Sequence, residues 1–291
     1  MTEVEQVTIP GQSLWREGLL RLRANRFALI CGCVVSLIAT FCFLSPVLPI
    51  ADYAVQNRDL GPTPPSLDHW LGTDTLGRDL LSRILFGGQI SFKVGFVATF
   101  TALLIGVTYG MVSGFIGGAL DRFMMRFIDI LYPLPFTIFV ILLLSIVEER
   151  SMTLIYIAIG AVEWLSMARI IRGEVLSLKK NAFIEAAQSL GQSNFKILLK
   201  HIFPNLLGTI IVYTTLTIPS VMLLESFISF LGLGVQPPMT SWGDLIKNGA
   251  DFMEEYPWML IGPAVFFSVT LFSLNFFGDA LRDALDPRSE D

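Results

Sequence analysis

Six apolar runs, at 28–49, 90–116, 130–147, 153–168, 206–231 and 258–277, constrain this chain more than any other feature of its 291 residues. Crossing the ~30 Å hydrocarbon core of a bilayer as a helix takes about 20 mainly apolar residues, and each run approaches or exceeds that length. Lipid offers backbone N–H and C=O groups no water, so such runs must be helices or strands of a closed barrel. These are too long and too uniformly apolar for barrel strands, which alternate between lipid-facing and lumen-facing residues. The expected fold class is an all-α integral membrane protein with six transmembrane helices. Composition agrees, with 53% hydrophobic and 15% charged residues, against roughly 25% charged in soluble domains.

Orientation follows from lysine and arginine, which collect in cytoplasmic loops. With both termini inside, 14 of the 20 basic residues fall in inside segments and 5 in outside loops. Four of them, Arg16, Arg21, Arg23 and Arg26, precede the first run. They resemble the basic region of a secretory signal, but the apolar run that follows is too long and lacks a small-x-small cleavage site, so it is expected to stay as an anchor. Trp15, Leu19 and Leu22 recur among these arginines at helical spacing. That pattern describes an amphipathic helix on the inner membrane face, favoured over a partner-docking face because arginine suits anionic headgroups. The net charge of −5 gathers in the outer loops and the extreme tail and argues against nucleic-acid binding. Cys31, Cys33 and Cys42 all lie in the first run, a spacing that suggests neither a disulfide framework nor a metal site. The expected organisation is an inner tail with its amphipathic helix (1–27), the first span with an outer cap loop (28–89), a core of spans (90–278) and an inner tail (279–291).

The cap loop is rich in turn formers at 61–66 and then reads HWLGTDTLGRDLLSR from His69. Thr73 or Asp74 is expected to cap a short separate helix through Leu85. In the second run Gly106, Gly110, Gly114 and Gly118 stand four apart. Small residues at that spacing let helices approach closely, either inside the subunit or at a subunit interface.

Catalytic motifs are weak. The string GTDTLGRD from Gly72 carries Arg78 and Asp79 where a P-loop needs lysine and a hydroxyl, and it faces outward, away from cytoplasmic ATP. Only His69 and His201 exist, on opposite sides of the membrane by this topology, so no zinc pair or hydrolase triad is assembled with them. GMVSG at Gly110–Gly114 departs from an intramembrane serine-protease motif at Met111, leaving Ser113 as the residue an enzyme reading would need. Two carboxylates stand in or near the spans, Glu163 and Glu225, the latter followed by Ser226. Ionisable groups there are costly and face the bundle interior or a cavity. They either line a translocation path, serve as the coupling site of an ion-driven carrier, or sit hydrogen-bonded between helices. Pro219 is expected to bend or break its helix locally.

The segment 185–204, EAAQSLGQSNFKILLKHIFP, is polar and basic between apolar spans. Glu185, Ala186 and Ala187 suit a helix start, Gly191 permits a turn, and Phe195, Leu198, Leu199 and Ile202 make an apolar side. Two short helices meeting near Gly191 would present knobs to a soluble partner; an ordinary interfacial helix is the other reading.

Five blocks together resemble one family: HWLGTDTLGRDLLSR, DRFMMRFIDILYPLP from Asp121, the EAA segment, the run from Phe230 to Ile246, and NFFGDALRDALDPR from Asn275. The chain is similar to the C-type permease subunit of dipeptide and oligopeptide ABC importers, a group that also includes nickel and glutathione transporters. The resemblance implies a type I, MetI-like fold in a bacterial inner membrane. It also implies a paralogous B-type permease partner, two cytoplasmic ATPases that carry ATP and Mg, and an extracytoplasmic substrate-binding protein. No cofactor or metal would be bound by this chain, and it would not be an enzyme. Glu185, Ala186, Ala187, Gly191, Phe195, His201 and Pro204 would form the ATPase-coupling loop at about 181–204. His69, Gly72, Thr73, Asp74, Gly77, Arg78 and Asp79 would form the cap near the binding protein. Gln188, Gln89 and Phe203 depart from residues common in the family.

Overall fold

A computed structural model describes residues 14–146 and 152–285, and every regular element among them is helical. Helix α1 (Leu14–Ala24) carries Arg16, Arg21 and Arg23 and ends at Asn25, whose side chain accepts from the Ala28 amide at 3.1 Å and so starts α2 (Arg26–Leu44). A short 3-10 turn, Ser45–Val47, extends it. Five helices are long and apolar enough to cross a membrane among the described residues: Arg26–Val47, Leu80–Ile116, Leu154–Leu178, Asn194–Phe230 and Trp258–Leu285.

Several boundaries depart from the sequence-based expectation, each for a local reason. No separate cap helix exists, because Asp79 rather than Thr73 or Asp74 caps the chain. Its carboxylate accepts from the Ser82 amide at 2.8 Å, and the helix it starts, α3 (Leu80–Ile116), continues straight into the second span. The third run divides. Its first residues finish α4 (Gly118–Leu131), a turn containing Pro133 and Pro135 follows, and α5 (Phe136–Ile146) begins beyond it. Proline lacks the amide a helix interior requires, which is why the turn falls there. Position 147 of that run lies outside the described residues. Helix α6 (Met152–Leu178) outlasts the fourth predicted run by ten residues, since Arg169 and Arg172 extend it past the apolar stretch. Helix α7 (Ala182–Ser189) stands alone, whereas the expected second short helix does not. Its residues, α8 (Asn194–Ile197) and a π-helical turn (Leu198–Ile202), run directly into α9 (Phe203–Phe230), which continues through Pro219. A helix that sequence reading missed, α10 (Trp242–Asp251), precedes α11 (Trp258–Leu285).

The spine of the bundle is the α3–α6 pair. Gly106, Gly110 and Gly114 let α6 lie against α3 so closely that a Cβ added at Gly110 would stand 2.5 Å from the Ala168 carbonyl oxygen. The internal-packing reading of that stripe therefore holds at these three positions. Gly118 lies outside it, past the end of α3 at a positive φ of 63°. Helix α9 packs on the same pair. One core joins α2, the start of α3, α10 and α11 around the fully buried Trp242, whose indole N–H donates to the Ile84 carbonyl at 2.9 Å. A second core at the opposite end joins α3, α6 and the α6–α9 connection. Helix α2 sits at the periphery, with Phe27, Ile30, Leu37 and Phe41 on an exposed apolar face.

Candidate functional site

The α6–α9 connection is built to hold its backbone rigid while leaving side chains unpartnered. Lys179 fixes its start by donating to the Phe115 carbonyl at 2.6 Å. At the end of α7 the Gly191 amide donates to Gln188 and the Gln192 amide to Ala187, at 2.9 and 3.2 Å. This is a Schellman cap, whose central residue must be left-handed, and Gly191 has φ +73°. A Cβ at Gly191 would meet nothing within 4 Å, so the glycine is required by backbone conformation and not by crowding. Ser193 then caps α8, and His201 bonds the Gln192 side chain at 2.9 Å, tying the turn to the base of α9.

Burial splits this connection in two. Ile184, Ala187, Ile197 and Ile202 pack against Ile171, Val175, Met111 and Phe115. Glu185, Ala186, Gly191 and Pro204 are exposed, as are Leu190 and Phe195, 80% and 71% accessible. Ala187, expected among the docking residues, is thus turned into the chain's own core at 4% exposure, because it lies three residues from Ile184 on one face of α7. A cavity of about 400 Å³ lined by Val112, Phe115, Lys179, Gln188, Phe195 and Leu198 opens beside the exposed set.

A charged cluster above this connection escaped sequence reading. Arg172 on α6 donates to both oxygens of Asp121 on α4, at 2.6 and 2.7 Å, and Ser113 on α3 donates to the same carboxylate at 2.5 Å. These bonds, the Arg172 pair foremost, hold the Asp121 carboxyl below its ordinary range against the opposing effect of burial. Ser113 is therefore a fully buried strut between helices. Alongside, Arg169 pairs with Asp129 at 3.2 Å and stacks over Tyr132 at 4.3 Å. The only signal in the sequence was that acidic residues in one block face basic residues in another.

Glu225 is buried to 1% exposure and accepts from Ser229, Ser91 and Ser226 at 2.7, 3.1 and 3.4 Å. Ser91 in turn accepts from the Trp242 amide at 3.3 Å, so the carboxyl joins α3, α9 and the start of α10. Ser226 is likewise buried, and Glu163 is half-buried on α6. This geometry is the hydrogen-bonded, interhelical alternative for Glu225.

The cap residues also satisfy one another. Asp74 accepts from the Arg78 guanidinium at 2.7 Å and pairs with Arg83 at 3.4 Å, while its other oxygen takes the Leu76 and Arg78 amides. His69 bonds Asp79 at 3.0 Å. The Thr73 carbonyl accepts from the Trp258 indole at 3.1 Å, locking the loop to α11, and Gly77, at φ +68°, sits where any Cβ would strike the Asn57 carbonyl.

Residues 13–65 match the N-terminal transmembrane domain of oligopeptide transport permease C. The chain is 50% identical to the oligopeptide transport system permease protein OppC of Escherichia coli K12 over 98% of its length and 94% of the relative's. It is 39% identical to the dipeptide transport system permease protein DppC of Bacillus subtilis 168 over 98% and 89%. Among solved structures, the inward-facing MetNI methionine ABC transporter shares the fold at TM-score 0.58 and 16% identity, over 71% of this chain and 98% of that one. Residues 106–291 match the binding-protein-dependent transport system inner membrane component, and with that match and those identities the chain belongs to that family of MetI-like, type I ABC importer permeases.

Proposed function

We propose that this chain is a transmembrane permease subunit of an ATP-driven importer, with oligopeptides as its cargo. The observation that carries the reading is 50% identity to an oligopeptide permease over nearly the whole chain. In this reading the exposed face of the α6–α9 connection, Glu185, Ala186, Gly191, Leu190 and Phe195, docks into a cytoplasmic ATPase that carries ATP and Mg. Exposed apolar side chains on a rigid, otherwise polar connection support it, since such patches mark interaction sites. His201 acts one step back, holding the turn against α9 through Gln192, and Pro204 opens α9 at the edge of this face. A motor can bias the bundle between inward-open and outward-open states only through contacts that differ between them, and this connection supplies a surface for such contacts. A second, paralogous permease completes the pathway, and a binding protein delivers cargo on the side bearing the Asp74–Asp79 loop. Both termini lie in the cytoplasm.

The test is uptake of a labelled tetrapeptide by cells lacking their own peptide permeases and supplied with this chain, a paralogous permease, two ATPases and a binding protein. ATP-dependent uptake that requires all subunits supports the proposal. Uptake that follows an ion gradient without the ATPases would replace it with an ion-coupled carrier.

A further inference from the structure

We infer that the chain carries a site for an anionic phospholipid, in a groove between α2, α9 and α11. The groove has a volume of about 350 Å³ and is lined chiefly by Leu29, Gly32, Cys33, Ser36, Ile218 and Phe277. All of these belong to helices long and apolar enough to cross a bilayer, so the groove opens at hydrocarbon depth, where an acyl chain is the matching filler. Its shape comes from small residues on α2 facing larger ones opposite: a Cβ at Gly32 would stand 3.0 Å from the Phe277 ring.

Charge at one end selects the headgroup. Arg26 lies two turns before Cys33 on the same side of α2, since seven residues bring a helix back to within about 20°. Arg23, in the last turn of α1, is exposed three residues before it. Helix α1 is held at that rim by Gly18, which abuts Ala284 and Leu285 at the end of α11. The acidic residues of that stretch, Asp279 and Asp283, lie on the side of α11 roughly opposite Leu274 and Phe277, by the 100° step of the helix. An acyl chain in the groove thus runs toward the end of α2 that carries Arg26, with Arg23 three residues before it, and away from those two carboxylates. Guanidinium groups bind phosphate through paired N–H donors. This also gives a role to the amphipathic start of the chain, which the transport reading leaves without one.

Native mass spectrometry of the purified full-length chain, with dioleoyl-phosphatidylglycerol and dioleoyl-phosphatidylcholine added in turn, tests the site. Phosphatidylglycerol adducts should survive activation that strips phosphatidylcholine, with apparent affinities differing by roughly ten-fold, each near-surface arginine contributing roughly five-fold before screening. Arg23→Gln with Arg26→Gln should bring the two lipids to equal retention while leaving an adduct in place. Ser36→Trp, which fills the groove, should remove both adducts, and Cys33→Phe serves as a second filling variant should the first fail to fold. Equal retention of the two lipids by the unaltered chain, or adducts untouched by both filling variants, would overturn the inference. So would a short thiol crosslink from Cys33 to a second permease in the assembled transporter, which would make the groove a seat for a helix. None of these results depends on what the transporter carries.

Discussion

The cap loop and the α6–α9 connection both carry dense motifs, and they are closed by different means. In the cap, Asp74, Arg78, His69 and Asp79 spend their hydrogen bonds on one another and on neighbouring backbone, and Arg83 pairs with Asp74 while donating to the Tyr53 carbonyl. In the connection, the backbone is closed by the Gly191 cap while Leu190 and Phe195 stay outside. The charges of the cap are thus largely occupied with shaping their own loop while Leu67 and Trp70 stay 94% and 72% exposed, and the connection, closed by its backbone, leaves an apolar pair outside as well. Partner contact is better read from unsatisfied exposure than from motif density.

The sharpest way to break this contrast is to charge the exposed face. Leu190→Asp combined with Phe195→Asp should lower peptide uptake at least roughly a hundred-fold with unchanged protein in the membrane, because neither side chain supports the core. Wild-type uptake would show that the face docks nothing. Gly191→Asp should act similarly, since its side chain enters open space and a left-handed aspartate is tolerated better than most residues.

The cap should fail in the other way. Gly77→Ala forces a positive φ on a Cβ that collides with Asn57, a cost of about 3 kcal/mol. Thermal unfolding of the purified chain should shift down, with uptake per folded molecule preserved. Asp79→Ala removes the α3 cap and the His69 bond and should cost about 1–2 kcal/mol. A loss of uptake in either variant without a loss of stability would place the cap among the contact surfaces instead.

The smallest effect is the pH dependence of the Asp121 cluster, a polar anchor that neither region contains. Its carboxyl titrates lower in the folded chain than in the unfolded one, so its contribution is present above the unfolded value and is lost as pH falls through the folded one. Asp121→Asn should lower stability at neutral pH by about 1 kcal/mol, the pair being partly exposed, and should reduce the loss seen below about pH 4. Unfolding midpoints at pH 7 and pH 3.5 would measure both.

Particular residues show where reading the sequence stopped. Pro133 and Pro135 were visible inside the third apolar run, yet its hydropathy carried the expected span across them. Ser241 and Asp244, a cap residue with an acid three positions later, mark the start of α10, a helix too short and too polar to stand out among the apolar spans. Thr73, Asp74 and Asp79 are all good caps, and nothing local ranks them; Asp79 wins because Ser82 and His69 converge on it. Ala187 reads as part of an exposed motif until Ile184 is seen to roll that face of α7 inward.

By itself the sequence determined that the chain is helical and membrane-embedded, and that a polar connection interrupts its spans. Those properties follow from apolar length and from the backbone's need to bond to itself in lipid. Only the tertiary structure decided which carboxylate meets which partner: Asp121 with Arg172, Glu225 with Ser91, Asp74 with Arg83. Helical period fixes the face a residue occupies, but pairing depends on the distance between helices, and that distance is set by the glycines and bulky side chains packed between them.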